Sequence, residues 1–481
     1  MEKDGKLFET IFNPDSVAII GASPQDLATL AQMSTKIRDR LFLVNPKYKE
    51  VRGMKCYPSI LQVGGEVDYA ILIVSATIVP QVLEECIQKG VKVAQIYTAG
   101  FGETGIPERI ELEKRLKQVA EGKIRVIGPN CFGVYCPRSG LAIVPEAPEE
   151  EGHIGVVAQS GSVAESFSYF AKIKNLRFSK MVSYGNGVDL DGCDFLEYLA
   201  DDPDTKIIAF YIEGTRNGGR LKRALTGAAM KKPVVAIKGG MSEQGMRAAA
   251  SHTASLAGTP ALWRSLFRQA GAVQVESFEE MLNTVMALDH CPLPSGRAVS
   301  IITNSGGFSV IQTDLCQKAG MEVPSFSAET LEALRAMVPL AGTSIGNPLD
   351  AWPIYYNVSS SGNIADIVRT VASDRNIHSL VFQFDQFRYL RRALGPGVEA
   401  HMRILIDLMV EGCLRAREKE KKPVVICVSL DPYLEDEEDR NYNLMIKRAF
   451  SAQGFPVYAS LDGAVRALAS LYRFAQRPFP P

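Results

Sequence analysis

Five histidines occur in the 481-residue chain, and one of them stands apart. His252 lies in the run Ala248-Ala249-Ala250-Ser251-His252-Thr253-Ala254-Ser255-Leu256-Ala257-Gly258, whose small side chains and flanking hydroxyls would expose an imidazole and let it move. A neutral imidazole nitrogen is a good nucleophile toward phosphorus, provided its other nitrogen finds an acceptor that fixes the tautomer and stabilises positive charge. Glu213, at the end of the apolar run Ile207 to Tyr211, stands where such an acceptor is wanted. The phosphorus itself needs donors. Gln159-Ser160-Gly161-Ser162 follows the apolar run Ile154 to Val157 and precedes a helical pattern with Val163, Phe167 and Phe170 on one face. Hydroxyls and free backbone N–H groups would meet there at a helix N-terminus, a cradle for phosphate or carboxylate. Asn304-Ser305-Gly306-Gly307 repeats the arrangement between Val299 to Thr303 and a helical pattern with Val310, Ile311 and Leu315. Plainer roles exist for all of these: serine is a good N-cap, strand-end glutamates are commonly solvated, and His153, His290, His378 and His401 stand singly, as structural histidines do.

A second set of residues suits a larger anion. Gly21-Ala22-Ser23-Pro24 directly follows the run Val17 to Ile20, where the backbone donors of a Rossmann-like sheet face an anionic ligand. It is not G-x-G-x-x-G, and the next run ends in Asn45-Pro46-Lys47, where a nicotinamide site usually places an acidic residue on the ribose. A lysine there favours an extra phosphate. Coenzyme A, which carries a ribose phosphate beside its pyrophosphate, fits this pair of features better than NAD does, so an NAD-dependent dehydrogenase is disfavoured. Three further loops, Ser75-Ala76-Thr77, Thr98-Ala99-Gly100-Phe101-Gly102-Glu103 and Gly128-Pro129-Asn130-Cys131, would converge with the first on one crevice at the carboxyl ends of strands. Small residues at strand ends also serve simply to make turns.

Loops of this kind work only if strands hold them in register. The first third of the chain alternates short apolar runs, Val17 to Ile20, Leu41 to Val44, Tyr69 to Val74, Val93 to Tyr97 and Ile124 to Ile127, with helical patterns, as buried parallel strands do. The alternation restarts after the proline-rich acidic stretch 145–152, through Ile154 to Val157, Phe178 to Val182, Ile207 to Tyr211, Val234 to Ile237 and Ala272 to Val275. It restarts again after Pro292-Leu293-Pro294-Ser295-Gly296, through Val299 to Thr303, Leu380 to Phe384, Val424 to Val428 and Pro456 to Tyr458. The expected architecture is α/β, with three serial doubly wound domains over residues 1–146, 153–291 and 297–478.

Composition narrows the function. Hydrophobic residues make up 46% and charged residues 22%, the balance of a globular protein, and the formal net charge is −1. A general electrostatic grip on nucleic acid or an anionic membrane is therefore not expected. The nine cysteines are scattered without a Cys-x-x-Cys pair, so reduced core residues and no metal site are expected. The start Met1-Glu2-Lys3-Asp4-Gly5 leads into no apolar leader, and the most apolar stretch, Tyr69 to Ser75, is too short to cross a bilayer, which points to a cytoplasmic protein.

In series, Ile20-Gly21-Ala22-Ser23, Val44-Asn45-Pro46-Lys47, Gly100-Phe101-Gly102-Glu103, Gly128-Pro129-Asn130-Cys131, Gln159-Ser160-Gly161, Tyr184-Gly185-Asn186, Tyr211-Ile212-Glu213-Gly214, Ser251-His252-Thr253, Thr303-Asn304-Ser305-Gly306-Gly307 and Asn347-Pro348-Leu349-Asp350 resemble the NDP-forming acyl-CoA synthetases. The likeness is to the α subunit of the ADP-forming acetyl-CoA synthetases, relatives of succinyl-CoA synthetase, and it covers essentially the whole chain. It implies an N-terminal Rossmann-like CoA-binding domain followed by two flavodoxin-like domains. It further implies that His252 is phosphorylated, that Glu213 supports it, and that Gln159, Ser160, Gly161 and Ser162 hold phosphate. CoA would lie against Gly21, Ala22, Ser23, Pro24, Asn45, Lys47, Ser75, Ala76, Gly100, Phe101 and Asn130. An acyl-CoA and phosphate would give an acyl phosphate, the histidine would take the phosphoryl group, and a mobile loop would carry it to a nucleotide site. The family places that site, with ATP or ADP and Mg, in an ATP-grasp module; none is visible in this sequence and no G-x-x-x-x-G-K-[ST] is found, so a separate β subunit and a hetero-oligomer are expected. After Ser23 the family usually has a second glycine pair where this chain reads Pro24-Gln25-Asp26, a departure that suits the alternative of a non-catalytic CoA or acyl-CoA binding or regulatory protein.

Overall fold

The computed structural model describes residues 2–33, 35–145, 147–252, 258–303, 306–339, 343–351, 364–384, 387–428 and 437–477. They form two compact units, Met1–Glu276 and Ser277–Pro480. The first holds two sheets and the second holds one.

The first sheet contains β1 (Val17–Ile20), β2 (Leu41–Val44), β3 (Glu50–Val51), β4 (Met54–Tyr57), β5 (Tyr69–Leu72), β6 (Val93–Ile96) and β7 (Arg125–Ile127), in the order β3-β4-β2-β1-β5-β6-β7. All pairs are parallel except β3 with β4, whose Arg52-Gly53 connection has φ of 50° and 80°, as a tight primed hairpin turn requires. Because strand side chains alternate, Val17 and Ile19 meet one core with Phe8, Ile11 and Phe12 of helix Glu2–Phe12, while Ala18 and Ile20 meet another with Leu72, Val79 and Leu83. Burial on both faces explains why the runs read as continuously apolar.

The second sheet contains β8 (Gly133–Tyr135), β9 (Ile154–Ala158), β10 (Phe178–Ser183), β11 (Ile207–Ile212), β12 (Val234–Lys238) and β13 (Val273–Gln274), in the order β13-β12-β11-β9-β10-β8. β8 pairs antiparallel with β10 and precedes the proline-rich stretch at 145–152, so the chain enters the second sheet before the segment that reads as a linker. That stretch is also tied down, since the Tyr135 hydroxyl donates to the Pro148 carbonyl. After β10, residues 188–190 run along the edge of the first sheet. Leu190 N–H donates to the Val126 carbonyl at 3.1 Å, and the Asp189 carboxylate accepts from Arg125 at 2.9 and 3.0 Å and from Val126 N–H at 2.8 Å.

In the second unit, β14 (Val299–Thr303), β15 (Leu349–Asp350), β16 (Ser379–Phe384), β17 (Val424–Val428) and β18 (Val457–Tyr458) make a fully parallel sheet in the order β15-β14-β16-β17-β18. Both helices that the sequence pattern marks after β9 and β14 form, and the structure settles which of their residues are buried. Helix Gly161–Lys174 buries Ala164, Phe167 and Ser168 and leaves Phe170 37% exposed. Helix Gly306–Lys318 buries Gln312 and Cys316, and leaves Val310 and Ile311 67% and 56% exposed. A polar residue sets the phase of the latter, because Gln312 reaches the side chain of Gln383 on β16.

Candidate functional site

Two crevices follow from the topology. In the first sheet the chain leaves β1 toward β2 and leaves β5 toward β6, in opposite directions from neighbouring strands, which opens a gap at their carboxyl ends. Gly21 borders it with φ of 99°, and a Cβ there would stand 2.9 Å from the Ile73 carbonyl oxygen, so the close approach of the two backbones requires glycine. Ala22 is buried, its carbonyl accepts from Asn45 Nδ2 at 2.9 Å, and Asn45 Oδ1 in turn accepts from Lys47 N–H at 3.0 Å. Ser23 and Pro24 are half-buried, the Pro24 carbonyl takes Arg52 Nε at 2.9 Å, and Lys47 is exposed.

The other loops join the same end of the sheet. Thr98 Oγ1 donates to the Val74 carbonyl at 2.7 Å, Asn130 N–H to the Thr98 carbonyl at 2.9 Å, and Ser75 and Thr77 share a hydrogen bond at 3.2 Å. Ala76 is buried. Gly100 and Phe101 differ from a free donor pair: their N–H groups point to the Glu103 carboxylate at 2.6 and 3.1 Å, and the Phe101 ring lies in the core. Beside Asn130, burial pushes the Cys131 thiol up to about 12, so it stays protonated at neutral pH.

The second crevice lies between the carboxyl ends of β9 and β11, where the chain again departs in opposite directions, toward β10 and toward β12. Two of its polar side chains are buried. Gln159 is 7% and Glu213 8% exposed. Gln159 Oε1 accepts from Glu213 N–H at 2.7 Å and Gly214 N–H at 3.1 Å, and thereby fixes the backbone that carries the carboxylate. Glu213 Oε1 accepts from the Tyr211 hydroxyl at 3.1 Å, and burial together with that carboxylate holds the tyrosine well above its ordinary pKa. The hydroxyls of Ser160 and Ser162 lie 3.0 Å apart at the N-terminus of helix Gly161–Lys174, and Gly161 opens that helix.

Lys238, unremarked in the sequence, completes this end of the sheet. It sits opposite Ile212 in the β11–β12 register, is 4% exposed, donates to the Gly239 carbonyl, and stands 5.1 Å over the Trp263 ring. Burial lowers its pKa and the Glu213 charge opposes that shift. Helix Glu243–His252 ends on His252, whose side chain, with residues 253–257, is outside the described residues. So are Asn304 and Ser305 after β14. An acidic acceptor, a buried cation and donors at a helix N-terminus within one crevice suit the handling of a phosphoryl group. All nine cysteines are free thiols, and among the described residues no helix is long and apolar enough to cross a membrane.

Comparison with known proteins covers both sheets of the first unit. Residues 15–137 match the family described as CoA binding domain, and residues 151–288 match the family described as succinyl-CoA ligase like flavodoxin domain. An ADP-forming acetate–CoA ligase of Methanocaldococcus jannaschii is 40% identical over 342 residues, 70% of this chain and 48% of that protein. The α subunit of ADP-forming acetate–CoA ligase I of Pyrococcus furiosus is 33% identical over 479 residues, 97% of this chain and 98% of that subunit. The chain belongs to the ADP-forming acetate–CoA ligase family. It spans about half the length of the Methanocaldococcus relative, as the 48% coverage records. Family membership extends to the three-dimensional fold: a dinucleotide-forming acetyl-coenzyme A synthetase of Candidatus Korarchaeum cryptofilum, solved with phosphate and ADP, superposes with a TM-score of 0.79 at 28% identity, over 98% of this chain and 97% of that one. The mixed α/β architecture with three parallel-dominated sheets is thus the family's fold.

Proposed function

We propose that the chain is the catalytic α subunit of an ADP-forming acyl-CoA ligase, converting acyl-CoA, ADP and phosphate to carboxylate, CoA and ATP and the reverse. Phosphate attacks the thioester carbonyl and CoA leaves as the thiol, giving an acyl phosphate. His252 then attacks phosphorus and releases the carboxylate, and the phosphohistidine passes its phosphoryl group to ADP. Glu213 accepts the N–H of the ring nitrogen not under attack, so that the positive charge developing on the imidazole has a counter-charge. Ser160, Gly161 and Ser162 hold the phosphate at the helix N-terminus, while Gln159 fixes the Glu213 backbone. CoA occupies the first crevice, with Lys47 toward its ribose phosphate.

The observation that carries this reading is the buried Gln159–Glu213 arrangement at the gap between β9 and β11. A protein that only binds acyl-CoA has no use for a carboxylate held out of water at that point. The P. furiosus relative is named an α subunit, which supports a partner chain; we assign the nucleotide site, with Mg, to an ATP-grasp β subunit and the whole to a cytoplasmic hetero-oligomer. Residues 1–146, 153–291 and 297–478 are the proposed domains.

The test is to incubate the chain with labelled phosphate and an accepted acyl-CoA, or with its partner and labelled ATP. Acid-labile, base-stable label in the parent and none in His252→Ala is expected. Equal labelling and turnover in the substituted protein would make His252 a structural residue and favour the binding-protein reading.

A further inference from the structure

Between the two crevices lies a cluster whose Asn186, Arg216 and Glu113 belong to neither of them. Glu103 and Glu113 of the first sheet's loops and helices, with Asn186, Arg216, Gln159, Tyr184 and Gly214 of the second, line a small cavity of about 40 Å³. Asn186 Nδ2 donates to Glu103 Oε2 and to Glu113 Oε2, both at 2.7 Å. Carboxylates at neutral pH only accept, so the amide must turn its NH2 to them, and its two hydrogens serve one carboxylate each. Arg216 donates to Glu113 Oε1 at 3.0 Å, and Gly102 N–H to Glu113 Oε2 at 3.1 Å. Glu103 gathers the Gly100 and Phe101 N–H groups on its other side.

The positions of these residues give the cluster its reach. Arg216 is three residues beyond Glu213, on the loop whose backbone Gln159 holds. Asn186 belongs to the turn after β10, whose own backbone is pinned to the Gly128-Pro129-Asn130 loop: Asn186 N–H donates to the Pro129 carbonyl at 3.0 Å and Val188 N–H to the Gly128 carbonyl at 3.1 Å. Gly185, with φ of 56°, brings that turn so close that a Cβ would stand 2.3 Å from the Pro129 and Asn130 carbonyl oxygens. One continuous set of hydrogen bonds thus runs from Gln159 through the Glu213–Arg216 loop to Glu113, then to Asn186, Glu103 and the Gly100 loop. Its two crossings between the sheets, Arg216 to Glu113 and Asn186 to Glu103 and Glu113, join residues 73 to 103 positions apart.

We infer that Asn186 and Arg216 are positioning residues that set the Gly100–Glu103 loop of the CoA crevice together with the Glu213 loop of the phosphate crevice, so that occupation of one crevice changes affinity at the other. The inference rests on the assignment of CoA to the first crevice and phosphate to the second. Of the two residues Asn186 has the larger share. It bridges two carboxylates in a part-buried setting, whereas the Arg216 side chain is 47% exposed and water weakens its ion pair. Neither residue touches reacting atoms in this scheme.

Titration of CoA into the full chain by calorimetry, without and with saturating inorganic phosphate, reads the coupling directly. In the parent, phosphate should change the CoA dissociation constant by about 5-fold, at the low end of ordinary coupling between sites, and CoA should change the phosphate constant by the same factor. In Asn186→Ala that factor should fall below about 2, in Arg216→Ala it should fall part of the way, and Arg216→Lys should retain most of it. A cluster that merely stiffens the fold would lower the melting temperature and leave the factor alone. Variants that keep the parental factor, or a parent without one, overturn the inference while the two sites stand. A parent that binds no CoA at all overturns the assignment of the first crevice, and the inference falls with it.

Discussion

At the end of β1 the chain presents Gly21, Ala22 and Ser23, with no charged side chain among them, whereas the ends of β9 and β11 present Gln159 and Glu213, both almost fully buried. The two crevices occupy the same topological place in their sheets, yet one is shaped by backbone and the other by side chains. A backbone-lined crevice offers a long anionic ligand room at little desolvation cost, although the Gly21 and Ala22 N–H groups turn to the Val44 carbonyl at 2.8 and 3.3 Å. A crevice with a buried carboxylate and a buried lysine is expensive to build, and chemistry on a phosphoryl group is what such preorganised charges serve.

Three substitutions would break or sharpen that contrast. The largest effect is expected from Glu213→Gln, which keeps the shape and the Tyr211 hydrogen bond but removes the charge. Turnover and phosphohistidine formation should fall by about 10²- to 10³-fold, as for loss of one preorganised electrostatic group, with CoA affinity unchanged in calorimetry. Equal loss of CoA binding would mean that the crevices do not divide the work. Next comes Gly21→Val, which forces a β-branched residue to φ of 99° and drives its Cβ against the Ile73 carbonyl. Strain of about 1–3 kcal/mol should appear in denaturant unfolding, with CoA binding weakened, while labelling from ATP and the partner chain persists. The smallest effect is expected from Lys47→Glu. An exposed charge is worth about 1 kcal/mol at most, so CoA should weaken about 5-fold and dephospho-CoA less, and the difference should shrink at high salt. Equal weakening of both ligands would remove Lys47 from the ribose phosphate.

The same contrast governs what the sequence reveals. Strands covered on both faces, such as β1, β5 and β9, announce themselves as apolar runs, and polar residues directly after them mark the crevices, which is how Gln159 and Glu213 come into view. The two-residue strands β3 and β15 have too few side chains to show a period, and the Arg52-Gly53 turn lacks the usual asparagine. Lys238 goes unremarked after the run Val234 to Ile237 because its burial involves Trp263, which arrives from helix Pro260–Ala270. Glu113 is hidden for a related reason. It lies on the helix Pro107–Ala120 among Glu108, Glu111 and Lys114, and what separates it from those exposed neighbours is the nearby Gly102 N–H together with Asn186 and Arg216, far along the chain. The outward positions of Phe170 and Val310 are not legible from periodicity, since periodicity finds a face and not the side on which the sheet lies.

The antiparallel strand β8 has a consequence for how the protein comes apart. A fragment cut at the proline-rich stretch would carry β8 away with the first sheet and leave β10 as a bare edge, its row of N–H and C=O groups facing water. Unprotected edges of that kind recruit other chains. The second sheet is therefore not an autonomous module: its outer strand is on loan from the sequence before it, and a reciprocal exchange of that strand between two copies is the misassembly to which a severed or slowly synthesised chain is open.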